Sequence, residues 1–359
     1  MILFFSLLLL LLLLGLRHYW LVNWQKGLSV AVEMKQARVF PGETFTIRQV
    51  VYNEKAFGLP FLRLLIPFVD SFYLVTAAKE KPVNDLFQVF SLASWSRSEK
   101  VFRIRGTKRG VYHLSEIELH CRSLLFPEAV TQKYPLNKEI IVFPKQVSTQ
   151  EVFQIFQQSL GEQLAQQGLL PDPLSFRGIR EYRTGDPIKQ LDHKKSAQMN
   201  QWMIREYDPT ANQEVTLILD LPESSDWKND PLAEATISLF TTIAAECQKL
   251  GYLTRCRSNG RDKEGQLLFN DTLLSRAAIL QSASQLVLKQ TAATTDHLQD
   301  IVASNKSCYI FTSDAAWDNT KAALLQATGG EAATVVIATR LPQNLQQDGR
   351  LIIREWVIQ

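Results

Sequence analysis

Between Phe176 and Lys195 the chain sets six Lys or Arg residues against three Asp or Glu. Arg177, Arg180 and Arg183 recur at a spacing of three. Arginine forks match carboxylates and phosphates in geometry. The run therefore suits a partner-docking or anion-binding patch, or local pairing with acids such as Glu181 and Asp192. Asp192 directly precedes His193, but neighbours on a helix point apart, so adjacency makes no catalytic dyad. His18, His113, His120 and His297 stand alone. The sequence contains no G-x-S-x-G elbow, no H-E-x-x-H and no Gly-rich phosphate loop. Cys121, Cys247, Cys256 and Cys308 form no CxxC pair, which points to buried thiols rather than a zinc site or disulfide framework. Asp220 and Asp314 each end an apolar, strand-like run. If those strands are parallel, both acids share the carboxyl rim where α/β sheets place ligands. Nothing here makes a catalytic centre, and the expectation is a non-enzymatic protein.

The elements that position these residues read in order. Met1 to Leu16, MILFFSLLLLLLLLGL, is almost wholly apolar. As a helix it spans roughly 24 Å, and extension to Val22 with Arg17 at the interface reaches the ~30 Å of a hydrocarbon layer. Tyr19, Trp20 and Trp24 suit an interfacial belt. Residues 1–24 are thus expected as a transmembrane anchor rather than a cleaved signal. Arg17 and Lys26 come after it, so the positive-inside bias places the soluble part in the cytoplasm.

Residues 27–145 alternate short β-branched and aromatic stretches with turn chemistry, as an antiparallel β-sandwich does. Expected strands include Leu28–Met34, Thr44–Tyr52, Ser71–Thr76, Leu86–Leu92, Val101–Ile104, Val111–Leu119 and Ile140–Phe143, with Gly58-Leu59-Pro60 as a turn. Residues 146–210 form a connector. There Ser148 and Glu151 have capping-box spacing, and Val152, Phe153, Phe156, Leu160 and Leu164 recur at helical period. Asp186-Pro187 reads as a second helix start, with Ile188, Leu191 and Ala197 facing inward. Residues 211–359 alternate apolar strands with helices, which implies a mostly parallel sheet covered on both faces. Its strands are expected at Val215–Leu219, Tyr252–Arg257, Ser307–Thr312, Ala333–Ala338 and Leu351–Val357. Its helices are expected at Glu234–Leu250, Leu273–Leu288 and Trp317–Gln326. A net charge of +3 and the lack of interleaved aromatics argue against nucleic acid as a partner.

The central stretch resembles the signature of the bacterial family catalogued as domain of unknown function 58. The matching residues are Phe176, Gly178, Arg180, Glu181, Tyr182, Gly185, Asp186, Asp192, Ser196, Ala197, Arg205 and Glu206. His193 stands where the family usually has Trp, Gln198 where it usually has Arg, and Lys189 replaces a common Arg. The resemblance implies a protein of the bacterial inner membrane with a von Willebrand A-like α/β domain, associated with a MoxR-type AAA+ ATPase. It also implies a possible Mg²⁺ or Mn²⁺ site of the form Asp-x-Ser-x-Ser, a later Thr and a later Asp. Asp220 and Ser224 match, and Asp314 fits the last position. Pro222 breaks the pattern, because it has no side-chain oxygen. The Thr is Thr291, Thr294 or Thr295.

Two functions are compatible with these features. The first is a membrane-anchored interaction or scaffold protein, adaptor of that ATPase, docking through Arg177, Arg180, Glu181, Tyr182, Gly185, Asp186, Asp192, Arg205 and Glu206, with no cofactor. The second is a Mg²⁺- or Mn²⁺-dependent ligand-binding or adhesion module facing away from the cytoplasm.

Overall fold

The apolar start folds as one helix, α1 (Ile2–Asn23), in the computed structural model. The structure describes residues 2–35, 37–68, 71–76, 79–123, 128–148, 176–182, 191–207, 214–222, 230–249, 251–291, 308–313, 316–327, 333–340 and 351–358. They divide into two units, Met1–Lys145 and Gln146–Gln359. The connector helix expected after Ser148 lies outside the described residues.

Among the described residues α1 is the one helix long and apolar enough to cross a membrane. Its C-terminal end is welded to the rest of the first unit. The Trp24 side chain is buried in the core of that unit. Arg17 reaches Glu128 at 2.5 Å, and the Tyr19 ring lies 6.3 Å from that of Phe57. The Lys55 ammonium donates to the Trp24 carbonyl. That carbonyl is one of the acceptors a helix C-terminus leaves open, and a cation there also meets the negative end of the helix dipole. Gly27, at φ +65°, then turns the chain into the first strand.

Among the described residues of the first unit, ten strands form two sheets packed face to face. One holds β1 (Leu28–Lys35), β3 (Thr44–Asn53), β5 (Phe72–Val75), β6 (Glu80–Pro82) and β8 (Ser96–Gly106), in the order β1-β3-β8-β5-β6. The other holds β2 (Arg38–Val39), β4 (Leu59–Pro67), β7 (Asp85–Leu92), β9 (Gly110–Arg122) and β10 (Ala129–Val142), in the order β2-β10-β9-β4-β7. Pairing is antiparallel except for the short β2–β10 contact. Alternate residues turn inward: Phe45, Ile47, Phe102 and Ile104 from one sheet meet Leu62, Leu64, Leu119 and Cys121 from the other. The expected turn at Gly58-Leu59-Pro60 is the start of β4. The β4–β7 register shifts between Leu59 and Leu62, and proline is tolerated at such an irregularity.

In the second unit a hairpin of β11 (Phe176–Glu181) and β12 (Met203–Tyr207) encloses a short helix, α2 (His193–Met199). The main sheet comes next: β13 (Glu214–Leu219), β14 (Leu253–Ser258), β16 (Asn270–Leu273), β18 (Cys308–Ser313), β19 (Ala333–Thr339) and β20 (Leu351–Val357). Its order is β16-β14-β13-β18-β19-β20, parallel throughout except for the edge strand β16. A minor pair joins β15 (Gly260–Arg261) to β17 (Val287–Thr291).

Each face of the main sheet has its own core, which is why the central strands β13, β18 and β19 read as largely apolar runs. Leu217, Leu219, Tyr309 and Phe311 pack with Ile237, Phe240 and Ile243 of α3 (Asp230–Lys249) and with Ile279 and Ala283 of α4 (Arg276–Gln285). Ile218, Ile310, Val335 and Ile337 pack on the other face with Trp317 and Leu324 of α5 (Trp317–Ala327). The single helix expected over Leu273–Leu288 is shorter. The Ser275 hydroxyl accepts the Ala278 N–H at 3.3 Å and starts it late, and β17 takes over at Val287.

Burial holds the Lys55 amine down at about 8, against a weaker upward pull from Cys121. A lysine depressed on folding binds fewer protons than in the unfolded chain between about pH 8 and its ordinary value, so stability rises with pH across that window. Melting of the full chain in detergent should therefore climb from pH 8 to 10 by more than in Lys55→Met. Parallel curves would show that Lys55 is not the buried cation described.

Candidate functional site

The signature segment is built on one carboxylate. Asp192 precedes α2 in extended conformation, and its Oδ1 accepts the Lys195 N–H at 2.9 Å, an N-cap bond. Its Oδ2 accepts from Arg205 Nε at 2.8 Å. The backbone donor at Lys195 and then Arg205 hold the Asp192 carboxyl below the usual carboxylate range. Ser196 adds a second clasp: its hydroxyl donates to the Asp192 carbonyl at 2.7 Å and accepts the Met203 N–H at 2.9 Å. The Asp192 N–H donates to the Met203 carbonyl, also at 2.9 Å. Leu191 and Ile204, both buried, bridge the same place.

The described helix therefore starts at Asp192. Gly185, Asp186, Pro187 and Ile188 lie outside the described residues. Ala197, expected inward, is exposed, because α2 is only two turns long and buries none of its own residues.

The other signature residues are spread around this knot. Arg180 donates through Nη1 to the Glu181 carbonyl at 3.0 Å, and the Glu181 carboxylate accepts from Gln201 at 2.9 Å. The Tyr182 N–H donates to the Trp202 carbonyl at 2.9 Å, extending the hairpin ladder. Arg177 and Glu206 lie on β11 and β12, where Glu206 pairs with Gly178. Asp192, Ser196 and Arg205 are brought into one bonded cluster. At the turn after α2, Asn200 sits in the left-handed region at φ 55°. Beside it Met199 is 53 % exposed and Trp202 66 %. Sequence reasoning did not single out these two apolar side chains. The signal was present in the polar neighbourhood around each.

The second cluster is the carboxyl rim of the main sheet. Asp220 lies at the end of β13 and is fully buried. Its Oδ1 accepts from Asn259 Nδ2 at 3.1 Å, and its Oδ2 accepts from Thr320 Oγ1 at 2.5 Å and Thr312 Oγ1 at 3.4 Å. Asn259 also clasps the Leu221 backbone, accepting its N–H at 2.9 Å and donating to its carbonyl at 2.8 Å. Asp220 thus joins β13, the end of β14, β18 and α5. Of the candidate threonines, Thr291 donates to the Pro222 carbonyl at 3.3 Å. Ser224, Thr294, Thr295 and Asp314 lie outside the described residues. Among the described residues no group of three His, Cys, Asp or Glu is placed to hold a metal ion. Asn259, Thr312 and Thr320 were not foreseen, because they lie far from Asp220 along the chain.

All four cysteines are buried and none is in a disulfide. Burial lifts the thiol of Cys121 to about 11 and those of Cys247 and Cys256 to about 12. They stay protonated at neutral pH, which removes them as nucleophiles.

A mostly parallel sheet with helices on both faces, carrying a hairpin pinned by an Asp–Arg pair, defines an α/β domain with a β-sandwich encoded before it. Residues 178–350 match the family model described as "Protein of unknown function DUF58", so this part of the chain is similar to that family. No curated protein matches it. Solved structures with some likeness include the CARDB domain of the PF1109 protein from Pyrococcus furiosus in complex with di-metal ions, at 14% identity and TM-score 0.20, covering 32% of this chain and 91% of that one. Salmonella alpha-2-macroglobulin reacted with methylamine aligns at 16% identity and TM-score 0.22, over 32% of this chain and 7% of that one. Likeness this low carries no argument about fold or function.

The Asp192 knot makes an ordered prediction. Asp192→Asn keeps a capping oxygen but loses the charge opposite Arg205, while Asp192→Ala loses both. Melting temperature should fall in the order wild type, Asn, Ala. The wild-type advantage is present above the unfolded carboxyl's titration and is lost as pH falls through the depressed folded value. An Ala variant as stable as wild type would show that the knot does not hold the hairpin. On the rim, Thr320→Val strips one donor from a buried carboxylate and should cost about 1–3 kcal/mol in denaturant unfolding.

Proposed function

We propose that the protein is a membrane-anchored, non-enzymatic interaction protein that docks a partner through its signature hairpin, and that the partner is a MoxR-type AAA+ ATPase, as the family resemblance implies. One observation carries this reading. The polar signature residues Asp192, Ser196 and Arg205 bond to one another and to the Lys195 and Met203 backbone, while the turn they hold presents Met199 and Trp202 to solvent. An exposed tryptophan whose backbone is fixed by the hairpin ladder is the kind of residue that dominates interface energies. Lys194 is exposed on the same helix, so an acidic, partly apolar partner surface suits it.

In this reading α1 crosses the inner membrane once, the soluble part faces the cytoplasm, and the parallel sheet is a von Willebrand A-like scaffold. The runner-up is a Mg²⁺- or Mn²⁺-dependent module. It requires Asp220 to exchange donors from Asn259, Thr312 and Thr320 for a cation together with Ser224 and Asp314. Added Mg²⁺ that leaves melting unchanged sinks it.

Membranes solubilised in mild detergent with ATP should yield an AAA+ ATPase with the wild-type chain. Trp202→Ala should weaken that association by about 2 kcal/mol or more, roughly thirtyfold, with melting temperature unchanged. Arg180→Ala tests the basic side of the hairpin in the same way. Recovery of no AAA+ ATPase, or full recovery with Trp202→Ala, overturns the reading.

A further inference from the structure

The outer face of the β2-β10-β9-β4-β7 sheet carries a depression of about 470 Å³ that has no part in the signature hairpin. Its residues fall in rows across the strands. Phe61, Arg122 and Ala129 form the first row, and Val89, Arg63, His120 and Thr131 the second. Phe61 is 50 % exposed and Val89 63 %. The Arg63 guanidinium lies 5.0 Å from the centre of the exposed Phe87 ring.

The charges on this face are unevenly spent. Lys133 reaches Glu116 at 2.6 Å and Glu118 at 3.0 Å. Glu128 is bonded to Arg17. His120 is held between Thr131 at 2.8 Å and Glu118 at 3.3 Å. Arg63 and Arg122 have no acidic partner among the described residues. The face is therefore cationic and apolar together.

Its position relative to α1 says what could cover it. Glu128, which holds Arg17, directly precedes Ala129, the register partner of Arg122. Phe57, which meets the Tyr19 ring, lies four residues before Phe61. The first row therefore sits beside the C-terminal end of α1, and the second lies about 7 Å further on, two residues along a strand. The apolar part of α1, Ile2 to Leu16, measures about 22 Å at ~1.5 Å per residue, short of a ~30 Å hydrocarbon layer. A short span draws the head-group zone toward its flanking residues. Those residues are Arg17 to Tyr19 and the sandwich end fixed to them.

The geometry points to a head-group site: the depression around Phe61, Arg63 and Arg122 binds the anionic phospholipids of the bilayer that α1 enters, and so fixes the sandwich against the membrane surface. This rests on α1 crossing the bilayer. The two guanidinium groups meet phosphate, and Phe61 and Val89 meet the glycerol and upper acyl region.

All four native cysteines are buried, so Val89→Cys in the full chain takes a polarity-sensitive maleimide dye at one exposed place. The labelled chain is placed in nanodiscs of phosphatidylcholine alone, or with phosphatidylglycerol added. The dye should shift to the blue only where phosphatidylglycerol is present. Adding Arg63→Gln and Arg122→Gln should reduce the docked-to-undocked ratio roughly fivefold per arginine, with melting temperature unchanged because both side chains are exposed. Equal emission in the two lipids, or a shift indifferent to the arginines, overturns the proposal. So does inorganic phosphate reproducing the shift in detergent, which would make the site a free-anion site. Extraction by alkaline carbonate identifies failure of the anchor itself; resistance to extraction without a dye shift identifies failure of the head-group site alone.

Discussion

A carboxylate taken wholly out of water must be met by donors, and Asp220 finds them in three separate stretches of chain. The Asn259 amide comes from the end of β14, and the Thr312 and Thr320 hydroxyls come from β18 and α5. The parallel order of the sheet makes this possible, since the carboxyl ends of β13, β14 and β18 are neighbours only when the strands run together. The dependence runs both ways. If β14 moved one register position, Asn259 would lose its grip on Asp220 and on the Leu221 backbone. Desolvation of a buried polar group of this kind offsets much of what its bonds contribute.

The same device recurs in both units. Lys55 closes the last turn of α1, and Asp192 opens α2 while holding Arg205. In each case a charged side chain satisfies backbone groups that a helix end leaves without partners. Asp192 and Asp220, both site candidates in the sequence, thus tie separate segments of the chain together. That shifts the weight of any functional reading onto side chains left uncommitted, and at the hairpin these are Met199 and Trp202 rather than the arginines.

Much of the fold was legible because apolar period is a local property. Val215–Leu219 and Leu351–Val357 read as strands, and the structure places strands there, since most of their residues are apolar and enter the two cores of the sheet. The alternation of Phe45 and Ile47 with polar neighbours showed β3 for the opposite reason, one face being wet. Local reading failed where two signals collided. Pro60 masked β4, because the register shift that accommodates it depends on β7, which lies beyond it in sequence. Leu273–Leu288 carried enough helical period to hide two strand segments at its ends. The capping role of Asp192 was not legible locally, because its partners Arg205 and Met203 belong to the returning strand. Asp220 was visible as a rim residue, but none of its donors was, for nothing in the neighbourhood of Asn259 or Thr320 marks them.

The first unit shows how an exposed sheet face acquires meaning from what it is attached to. Taken alone, Phe61, Val89 and two arginines on a sandwich surface are ordinary, since soluble proteins expose many apolar atoms. Attached to α1 they are constrained. Trp24 in the core and Arg17 on Glu128 leave the helix little freedom to swing against the sandwich. Whatever surface α1 enters must then meet the same end of the same sheet each time. A flexible tether would average that contact away. A fixed joint concentrates it on the first two rows of side chains, and those are the rows in which the arginines lack acids.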